Sequence, residues 1–345
     1  MTLKQLLGID LPVIQAPMAG VQDSALTIAV SNAGGLGSLP AAMLDLAALH
    51  RELLAISAQT SQPYNINFFC HTPPVPDALR EARWREALAP YYAEFGIDPA
   101  KIPAGSGRMP FTDAAADLLE AFKPPVLSFH FGLPSAPLLA RIKSWGSKIL
   151  SSATTVEEAL WLEAHGVDAV IAQGLEAGGH RGLFLTNDLT TQLGTMALLP
   201  QMVRAVRVPV IASGGIADAQ GVRAALTLGA AGVQVGTAYM LCPEATTSPL
   251  HRAALKSDRA CHTALTNVIT GRPARGILNR LMLEVGPLSD APPAFPLATA
   301  ALAPLKAAAE KLGRDDFSTL WSGQNASGCR EIPAAELTHL LAAHT

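Results

Sequence analysis

The chain has 345 residues, of which 49% are hydrophobic and 15% charged, and its formal net charge at pH 7 is −3. This length suits one large α/β domain with an extension, or two domains, and the composition predicts elements that are buried on more than one side. No basic stripe is present and only 5% of the residues are aromatic, which argues against a nucleic-acid surface. Small molecules are therefore the expected partners.

The cysteines are scattered and no apolar run is long. No CxxC pair is formed by the four cysteines, Cys70, Cys242, Cys261 and Cys329. The sequence therefore predicts reduced thiols rather than a zinc knuckle or a disulfide framework. No segment reaches the roughly 18 unbroken apolar residues of a membrane-spanning helix. We expect a cytoplasmic protein without a membrane partner, and a homodimer is compatible with the sequence.

Short β-branched runs alternate with helical patterns along most of the chain. Eight such runs are predicted as strands: 13–18, 35–40, 64–71, 126–131, 148–153, 168–174, 209–215 and 232–237. Between them, Thr155 with Glu158 has the pattern of a capping box, and Asp218 is placed to cap the next predicted helix. Eight strands joined through helices by right-handed crossovers close most simply into a (β/α)8 TIM barrel.

An open doubly wound sheet is the alternative fold. It is disfavoured because the glycine clusters GGLGSLP (34–40) and GSGRMP (105–110) have proline where a dinucleotide-binding motif needs its third glycine. Two segments fall outside the barrel repeat, residues 72–125 and residues 257–345, the latter with an Ala/Leu-rich helical stretch near 297–312. We expect a barrel of residues 1–256, with 72–125 inserted, and a smaller helical cap formed by the insertion and the C-terminal region 257–345.

The loops after predicted strands 7 and 8 carry the glycine patterns of an anion site. Ser213, Gly214 and Gly215 follow strand 7, and Gly236 with Thr237 follows strand 8. In TIM barrels these two loops frequently bind phosphate through backbone N–H groups and the positive end of a helix dipole. The sequence therefore predicts a phosphate site. The alternative is that the glycines serve only tight turns.

Three carboxamides end predicted strands and favour a heteroaromatic cofactor. Asn67, Gln173 and Gln234 can each donate and accept hydrogen bonds. A flavin ring has mixed donors and acceptors, whereas a sugar phosphate more often meets charged groups. Each amide alone is as readily explained as a buried tie within a loop, but together they favour a flavin.

Three histidines fall at or just after the ends of predicted strands. His71, His130 and His180 could converge above the barrel, and zinc is one interpretation of such a set. No acid joins them at ligand spacing and no HExxH motif is present, so we expect no metal. A hydrolase is disfavoured as well, because the chain has no GxSxG motif and no cysteine near a base.

From about residue 10 to residue 330, the chain resembles the nitronate monooxygenases, formerly called 2-nitropropane dioxygenases. The resemblance is carried by QAPMAG (15–20), NINFFCH (65–71), LSFHFGLP (127–134), AQGLEAGGHRG (172–182), TGRPARG (270–276) and WSGQ (321–324). It implies an FMN-binding barrel that uses O2, and no metal, to oxidise nitronates such as propionate 3-nitronate to a carbonyl product with nitrite or nitrate.

The resemblance and the loop patterns together assign roles to individual residues. His180 is implied as the active-site histidine, and His130 and His71 are implied on the substrate side. We hypothesise that His180 binds the nitro oxygens and acts as a base only when a neutral nitroalkane is bound. The residues expected to hold FMN are Met18, Asn67, Gln173, Gly178, Gly179, Ser213, Gly215, Gln234, Val235, Gly236 and Thr237.

One departure and two alternatives accompany this assignment. Family members often carry tyrosine on the substrate side, where this chain has Phe295, and this leaves the preferred nitronate open. An NAD(P)H-dependent FMN reductase of the enoyl-ACP reductase or quinone reductase type shares an AGGH-like turn and is the second interpretation. A flavin-binding barrel without turnover is the third.

Overall fold

The computed structural model describes residues 1–102 and 108–343 of the chain. These residues form eleven strands, in chain order β1 (Val13–Gln15), β2 (Gly37–Pro40), β3 (Tyr64–Phe69), β4 (Val126–His130), β5 (Lys148–Ala153), β6 (Ala169–Gln173), β7 (Gly179–His180), β8 (Val210–Ser213), β9 (Gly232–Val235), β10 (Thr263–Thr266) and β11 (Ala274–Ile277). All eight predicted strands form, each inside its predicted run. The first is shorter than predicted because Pro17 cannot donate to a ladder.

Eight of the strands in the described residues form one parallel sheet in the order β1-β9-β8-β6-β5-β4-β3-β2. A parallel bridge between Ile14 and Leu36 joins the two outer strands, and Leu36 N donates to Val13 O at 3.0 Å. The sheet therefore closes on itself, and the prediction of a (β/α)8 TIM barrel is confirmed. The carboxyl ends of the strands meet at one face of the barrel, where enzymes of this fold build their sites.

Helices alternate with the barrel strands and follow the cap signals of the sequence. In the described residues they are α1 (Leu3–Leu7), α2 (Ser24–Asn32), α3 (Leu46–Gln59), α4 (Ala78–Glu94), α5 (Asp113–Glu120), α6 (Ala136–Ser144), α7 (Val156–Ala164), α8 (Thr195–Ala205), α9 (Ala219–Thr227), α10 (Pro249–Leu255), α11 (Arg280–Glu284), α12 (Ala298–Lys311) and α13 (Ala334–Leu341). Short 3-10 helices lie at Pro99–Lys101, Leu189–Thr191, Thr237–Leu241 and Asp258–Cys261. No helix in the described part of the chain is long and apolar enough to cross a membrane.

Only half of the predicted capping box at the start of α7 forms. The Thr155 hydroxyl accepts from Glu158 N at 3.2 Å, as expected. The fully buried Glu158 carboxylate does not return to Thr155 N; it accepts from Thr154 N at 2.6 Å and from Phe184 N at 2.6 Å. Because these N–H groups belong to the ends of two loops, Glu158 joins the β5–α7 turn to the loop that follows His180.

The insertion between β3 and β4 and the C-terminal region pack against each other, as the cap prediction requires. Trp84 and Tyr92 of α4 donate to the carbonyls of Ala298 and Ala301 in α12, at 3.1 and 2.7 Å. Trp84 is 1% exposed, and this apolar cluster also contains Leu88, Leu302 and Leu305. Residues 103–107 of the insertion, including the start of the GSGRMP cluster, lie outside the described residues.

The final helix packs on the barrel rather than in the cap. Leu337 and Leu341 of α13 belong to the main barrel core, and α13 contacts α2 and α9. Tyr239, just after β9, hydrogen-bonds the hydroxyl of Thr338 at 2.9 Å. The domain division at residue 256 stays a prediction, and within its C-terminal part α13 occupies the place of an eighth barrel helix.

A small antiparallel sheet connects the loop after β6 to the C-terminal region. β11 pairs with β10 on one side and with β7 on the other, and Ala274 lies opposite His180. Gly276 also forms an antiparallel bridge with Trp321. The sheet therefore places His180 against two segments that lie about 90 and 140 residues further along the chain.

Candidate active site

Unpaired backbone N–H groups mark the ends of β8 and β9. Gly214 and Gly215 have φ angles of +119° and +74°, which L-residues with side chains rarely adopt. Among the described residues, no hydrogen-bond acceptor faces the N–H groups of Gly214, Gly215, Gly236 and Thr237, the set we call the amide cradle. N–H groups at such loop ends are suited to an anion.

The predicted neighbours of the amide cradle lie where the sequence placed them along the strands. Ser213 ends β8 and Val235 ends β9, and both are buried. A Cβ atom on Gly236 would lie 3.5 Å from Met18 Sδ, so Met18 is next to the cradle. Thr237 Oγ1 accepts from Gly323 N at 2.9 Å, which brings the WSGQ segment to the same place.

The three carboxamides at strand ends differ in how they are used. Gln173 is occupied at both ends: Nε2 donates to His180 O at 2.9 Å and Oε1 accepts from Gly182 N at 2.7 Å. Asn67 donates to Ser128 Oγ at 2.9 Å. Gln234 Oε1 is buried without a partner among the described residues. The side chain of Gln173 therefore ties the loop around His180, which was the alternative to a cofactor contact. Gln234 keeps an acceptor oxygen that a ligand could use.

The two glycines before His180 have different structural reasons. A Cβ on Gly178 would lie 2.5 Å from Gly323 N and 2.6 Å from Ser322 C, so the close approach there is to the C-terminal segment. Gly179 has open space around it but a φ of +72°. A backbone constraint therefore explains both positions without a flavin, and the expectation that they approach a cofactor stays a prediction.

His180 is buried and held by both its backbone and its ring. Its Nε2 atom lies 2.9 Å from Thr270 Oγ1, and the Thr270 hydroxyl lies 3.3 Å from the carbonyl oxygen of Arg272. When the hydroxyl donates to that carbonyl, Nε2–H of His180 donates to the hydroxyl and Nδ1 is a free acceptor; when the hydroxyl donates to Nε2, Nδ1 carries the proton and is a free donor. No described residue bonds Nδ1, so this atom is the one available to a substrate.

Burial and positive charge keep the His180 imidazole neutral. Burial lowers its pKa well below the usual 6.5, and the guanidinium groups of Arg108 and Arg272 and the rings of His130 and His71 lower it further. No carboxylate of the described residues opposes these effects on the pKa. A neutral imidazole in a positive field can accept a proton or a hydrogen bond at neutral pH, and the field favours an anion beside it.

Both ring nitrogens of His130 form hydrogen bonds with groups of the protein. Nε2 donates to His180 O at 3.1 Å, and Nδ1 lies 2.5 Å from Ser152 Oγ, which then donates to it. Burial lowers the pKa of His130 to about 3, so the ring is neutral. In this arrangement His130 holds the backbone of His180, while its ring face lies 5.7 Å from the ring of Phe69.

His71 retains one unsatisfied nitrogen. Its Nε2 lies 2.9 Å from Arg108 O and acts as the donor, because a carbonyl can only accept. Its Nδ1 is buried without a hydrogen-bond partner among the described residues. Burial is also the main cause of the lowered pKa of His71. The ring meets Phe295 edge-on, with 4.9 Å between the ring centroids. His71, which was predicted on the substrate side, therefore lies next to the position where family members often carry tyrosine.

Phenylalanines surround the histidines and form what we call the aromatic face: Phe69, Phe131 and Phe295. The ring of His180 lies 5.1 Å from Phe295 and 6.1 Å from each of the other two. Trp321 lies 5.5 Å from His180 on another side. The imidazole is therefore enclosed by apolar rings, which accounts for its burial.

Several residues of the site were missed by reasoning on the strands alone. Thr270, Arg272 and Trp321 contact or face His180, and each lies in a motif that carried the family resemblance, TGRPARG or WSGQ. The available signal was therefore the motif itself. No periodicity or strand position predicts that these distant segments fold back over His180.

Two further groups stabilise the loop that carries His180. Arg181, which is 0% exposed, donates to Gly174 O at 2.7 Å, Gln173 O at 2.8 Å and Gln192 Oε1 at 3.0 Å. Burial lowers its pKa to about 10, so it stays charged at neutral pH. Glu176, the acid nearest His180 in the sequence, instead caps α8 by accepting from Thr195 N at 2.8 Å.

Within the described residues, no group of three or more His, Cys, Asp or Glu side chains is arranged to hold a metal ion. His71, His130 and His180 do approach one another, but through aromatic rings and backbone bonds. Among the described residues, the arrangement leaves without a partner Nδ1 of His180, Nδ1 of His71, guanidinium donors and backbone amides. Such groups bind anions and polar rings.

Comparison of the sequence with known proteins shows the family. A profile of the family described as nitronate monooxygenase matches residues 1–343. The chain is 44% identical to the nitronate monooxygenase of Paraburkholderia phytofirmans over 97% of its own length and 92% of the relative's. It is 43% identical to that of Pseudomonas aeruginosa, with 98% and 97% covered.

The solved structures agree with the sequence comparison. A nitroalkane oxidase from Streptomyces ansochromogenes superposes with a TM-score of 0.90 and 37% identity, covering 99% of this chain and 96% of that one. FabK from Thermotoga maritima, at a TM-score of 0.71 and 24% identity, covers 99% and 94% and shows the shared fold alone. By its motifs, its barrel and these relatives, the chain belongs to the nitronate monooxygenase family.

Proposed function

We propose that this enzyme oxidises alkyl nitronates with O2, using FMN, to a carbonyl product with nitrite or nitrate. The observation that carries the proposal is the environment of His180: a neutral imidazole with one free nitrogen, enclosed by aromatic rings, next to guanidinium groups and without a carboxylate. A nitronate is an anion with an electron-rich carbon, and this environment attracts and orients such a group.

The residues present fit FMN on two counts. The amide cradle leaves four N–H groups without an acceptor among the described residues, as a phosphate monoester would require. Gln234 Oε1 is a buried orphan acceptor at the end of β9, and a ring N–H group would satisfy it. Ser213 and the amide cradle would hold the phosphate, and Met18, Asn67 and Gln234 would line the ring.

When bound, FMN would supply the electron acceptor that the protein side chains lack. The chain's own residues have other tasks. His180 presents Nδ1 to the nitro group in one of two neutral tautomers. With Thr270 donating to Nε2, Nδ1–H donates to the nitronate oxygens; with Nε2–H donating to Thr270, the bare Nδ1 accepts the α-proton of a neutral nitroalkane. Thr270 fixes the orientation of the imidazole, and His130 and Gln173 fix its backbone through the same carbonyl oxygen. The aromatic face excludes water.

The nitronate itself needs no base, because its α-proton is already lost. For that substrate His180 acts only as a hydrogen-bonding and orienting group. The low pKa of the imidazole is consistent with this division, since a neutral ring can serve either substrate. The two roles are therefore separable by choosing the ionisation state of the substrate.

Rapid mixing under anaerobic conditions tests the proposed function. Purified protein is expected to carry FMN, identified by its visible spectrum and by mass after release, and to lose the oxidised-flavin absorbance on mixing with a nitronate. Admitting O2 should restore that absorbance with formation of a carbonyl compound. Rapid bleaching by NADH or NADPH without a response to nitronate would instead establish the reductase, and a colourless protein that binds no FMN would contradict the proposal.

A further inference from the structure

The carboxyl end of β5 brings a buried serine against His130. The strands β4 and β5 are parallel neighbours, with Phe129 opposite Ser151, and side chains alternate between the two faces of a sheet. The next residues, His130 and Ser152, therefore share the opposite face. Ser152 is 4% exposed, and its Oγ atom lies 2.5 Å from Nδ1 of His130.

The direction of this hydrogen bond follows from the other nitrogen of the ring. Nε2 of His130 lies 3.1 Å from the carbonyl oxygen of His180, and a carbonyl oxygen can only accept. The ring is neutral, since burial lowers its pKa to about 3, so it carries one proton and that proton is on Nε2. Nδ1 is then a bare acceptor, and the hydroxyl of Ser152 is the donor.

The glycine at position 182 makes room for this pair of side chains. A Cβ atom on Gly182 would lie 2.8 Å from His130 Cε1 and 2.8 Å from Ser152 Oγ, closer than real Cβ atoms come to such neighbours. The φ angle of Gly182 is not in the left-handed region, so the neighbours and not the backbone conformation require glycine here. The loop that carries His180 therefore packs directly on the two side chains.

The carbonyl oxygen of His180 accepts from two side chains that are supported differently. Gln173 Nε2 donates to it at 2.9 Å and is fixed at its other end by Gly182 N. Among the hydrogen bonds of the described residues, the ring of His130 has Ser152 as its one other partner. Without that hydroxyl, Nδ1 would be buried without a donor, and the ring would be free to turn away from the His180 carbonyl.

We propose that Ser152 is a positioning residue of the reaction: its hydroxyl holds the ring of His130, which holds the backbone of His180 and thereby directs the His180 imidazole. The effect on turnover rests on the proposed function, whereas the chain of hydrogen bonds from Ser152 to the His180 carbonyl does not. Thr270 acts on the same imidazole at its ring nitrogen, so the two hydroxyls orient His180 from its two ends.

Nuclear magnetic resonance of the FMN-loaded, oxidised protein with 15N-labelled histidine tests the chain directly. In the wild type, we expect His130 to carry its proton on Nε2 and none on Nδ1 from pH 6 to pH 8, with the Nε2 proton protected from exchange with solvent. In Ser152→Ala the Nδ1 signal should shift, and the Nε2 proton should exchange at least tenfold faster. His130→Gln assigns the signals by removing them.

Turnover of neutral nitroethane gives the functional side of the test. Ser152→Ala should lower kcat about fivefold to tenfold, the amount that one positioning hydrogen bond supplies, and leave KM within about twofold. His130→Phe removes both ring nitrogens and should lower kcat as well. Adding Ser152→Ala to His130→Phe should then lower kcat no further, because the hydroxyl no longer has a ring nitrogen to hold.

Ser147→Ala is the matched control. The Ser147 hydroxyl is also buried and donates to a carbonyl oxygen, that of Pro124, at 2.6 Å. It lies just before β5, at the end of the strand away from His130. This variant loses a comparable hydrogen bond and should change neither the His130 signals nor kcat.

The outcomes separate the positioning role from the reaction. A proton on Nδ1 instead of Nε2 of His130 in the wild type would overturn the proposal, as would unchanged proton exchange and kcat in Ser152→Ala. Additive losses in the double variant, or equal losses of kcat in Ser152→Ala and Ser147→Ala, would refute it as well. If the exchange results are as expected but the wild type oxidises neither nitroethane nor ethyl nitronate, the proposed reaction fails and the hydrogen-bond chain stands.

Discussion

The cofactor side and the substrate side of the candidate site differ in the groups that form them, backbone amides on one side and side chains on the other. The amide cradle consists of backbone N–H groups in two loops that directly follow β8 and β9. The substrate side consists of side chains: the rings of the aromatic face, His180, and two arginines. These side chains come from the end of β3, the β3–β4 insertion, the residue after β4, β7 and the C-terminal region.

This difference separates cofactor binding, which all substrates share, from the recognition of particular substrates. A backbone cradle depends on glycine conformation and strand position, which any sequence with the same loops can supply. A side-chain surface depends on which residues distant segments bring over the barrel mouth. We therefore expect variants of the cradle to change cofactor binding for every substrate, and variants of the substrate side to discriminate between substrates.

The largest discrimination is expected from His180→Asn. The amide of asparagine can still hydrogen-bond a nitro group but cannot accept a proton at neutral pH, so turnover of neutral nitroethane should fall about a hundredfold or more. Turnover of ethyl nitronate should fall much less. Steady-state O2 consumption measures both, with FMN content as the control. Equal losses for the two forms would contradict a base role, and no loss for either would remove His180 from the mechanism.

A charge in the amide cradle should have the next largest effect. Gly215→Asp places a carboxylate beside the predicted phosphate, and like charges at such distances should weaken FMN binding on the order of a hundredfold. Gly215→Asn is the matched control, because asparagine tolerates the φ of +74° about as well as aspartate does. Fluorescence titration of apoprotein with FMN compares the two. Equal affinities in both variants would show that no phosphate lies at Gly215.

The buried histidine under His180 gives a smaller, pH-dependent effect. Burial lowers the pKa of His130 to about 3 from 6.5, so between these values the unfolded chain binds a proton that the folded protein excludes. Its stabilising contribution is complete above pH 6.5 and is lost as the pH falls toward 3, at up to about 1.4 kcal/mol per pH unit. His130→Gln, which keeps a donor toward His180 O, should remove this part of the slope.

Urea denaturation at pH 6.5 and 5.5 measures that slope in both proteins. His71, His180 and His251, whose pKa values are also lowered by burial, titrate in both proteins. The difference between the two slopes therefore reports His130 together with its effect on the pKa of His180. A wild-type slope no steeper than that of the variant would mean that His130 titrates normally in the folded protein. The cradle is not involved, so FMN affinity at pH 7.5 should be unchanged.

The smallest effect is expected at Thr270. Thr270→Val removes the hydroxyl that hydrogen-bonds His180 Nε2 and nearly conserves the side-chain volume. The hydrogen bond that orients the imidazole, with a net free energy of about 1 kcal/mol, is then lost. We expect kcat for neutral nitroalkanes to fall about fivefold with little change in KM. Thr270→Ser, which retains the hydroxyl, should restore most of kcat. Failure of serine to do so would assign the loss to packing rather than to the hydrogen bond.

Sequence reasoning predicted the two sides of the site unequally for physical reasons. Each barrel strand was predicted because burial on both faces leaves an apolar run bounded by turn residues, and the glycine loops followed from strand order. Arg272 and Thr270 could not be placed in this way. Their approach to His180 depends on the pairing of β11 with β7, a contact that no local pattern encodes.

Contacts of the same long-range kind bear on two further sequence patterns. Gln173 had two interpretations, a contact to a flavin ring and a tie within a loop, and its amide bonds His180 O and Gly182 N. Glu158 has the spacing of a capping box, yet its carboxylate serves Thr154 and Phe184. In both cases a buried polar group bonds whichever partner the fold brings nearest, and sequence spacing does not determine that partner.

The most direct test of the two-sided site is a crystal structure of the FMN-loaded protein with 3-nitropropanoate bound under anaerobic conditions. We predict that the phosphate accepts hydrogen bonds from the amide cradle and that the nitro group lies at His180 Nδ1. A phosphate bound away from Gly215 and Gly236, or a nitro group away from His180, would contradict the account.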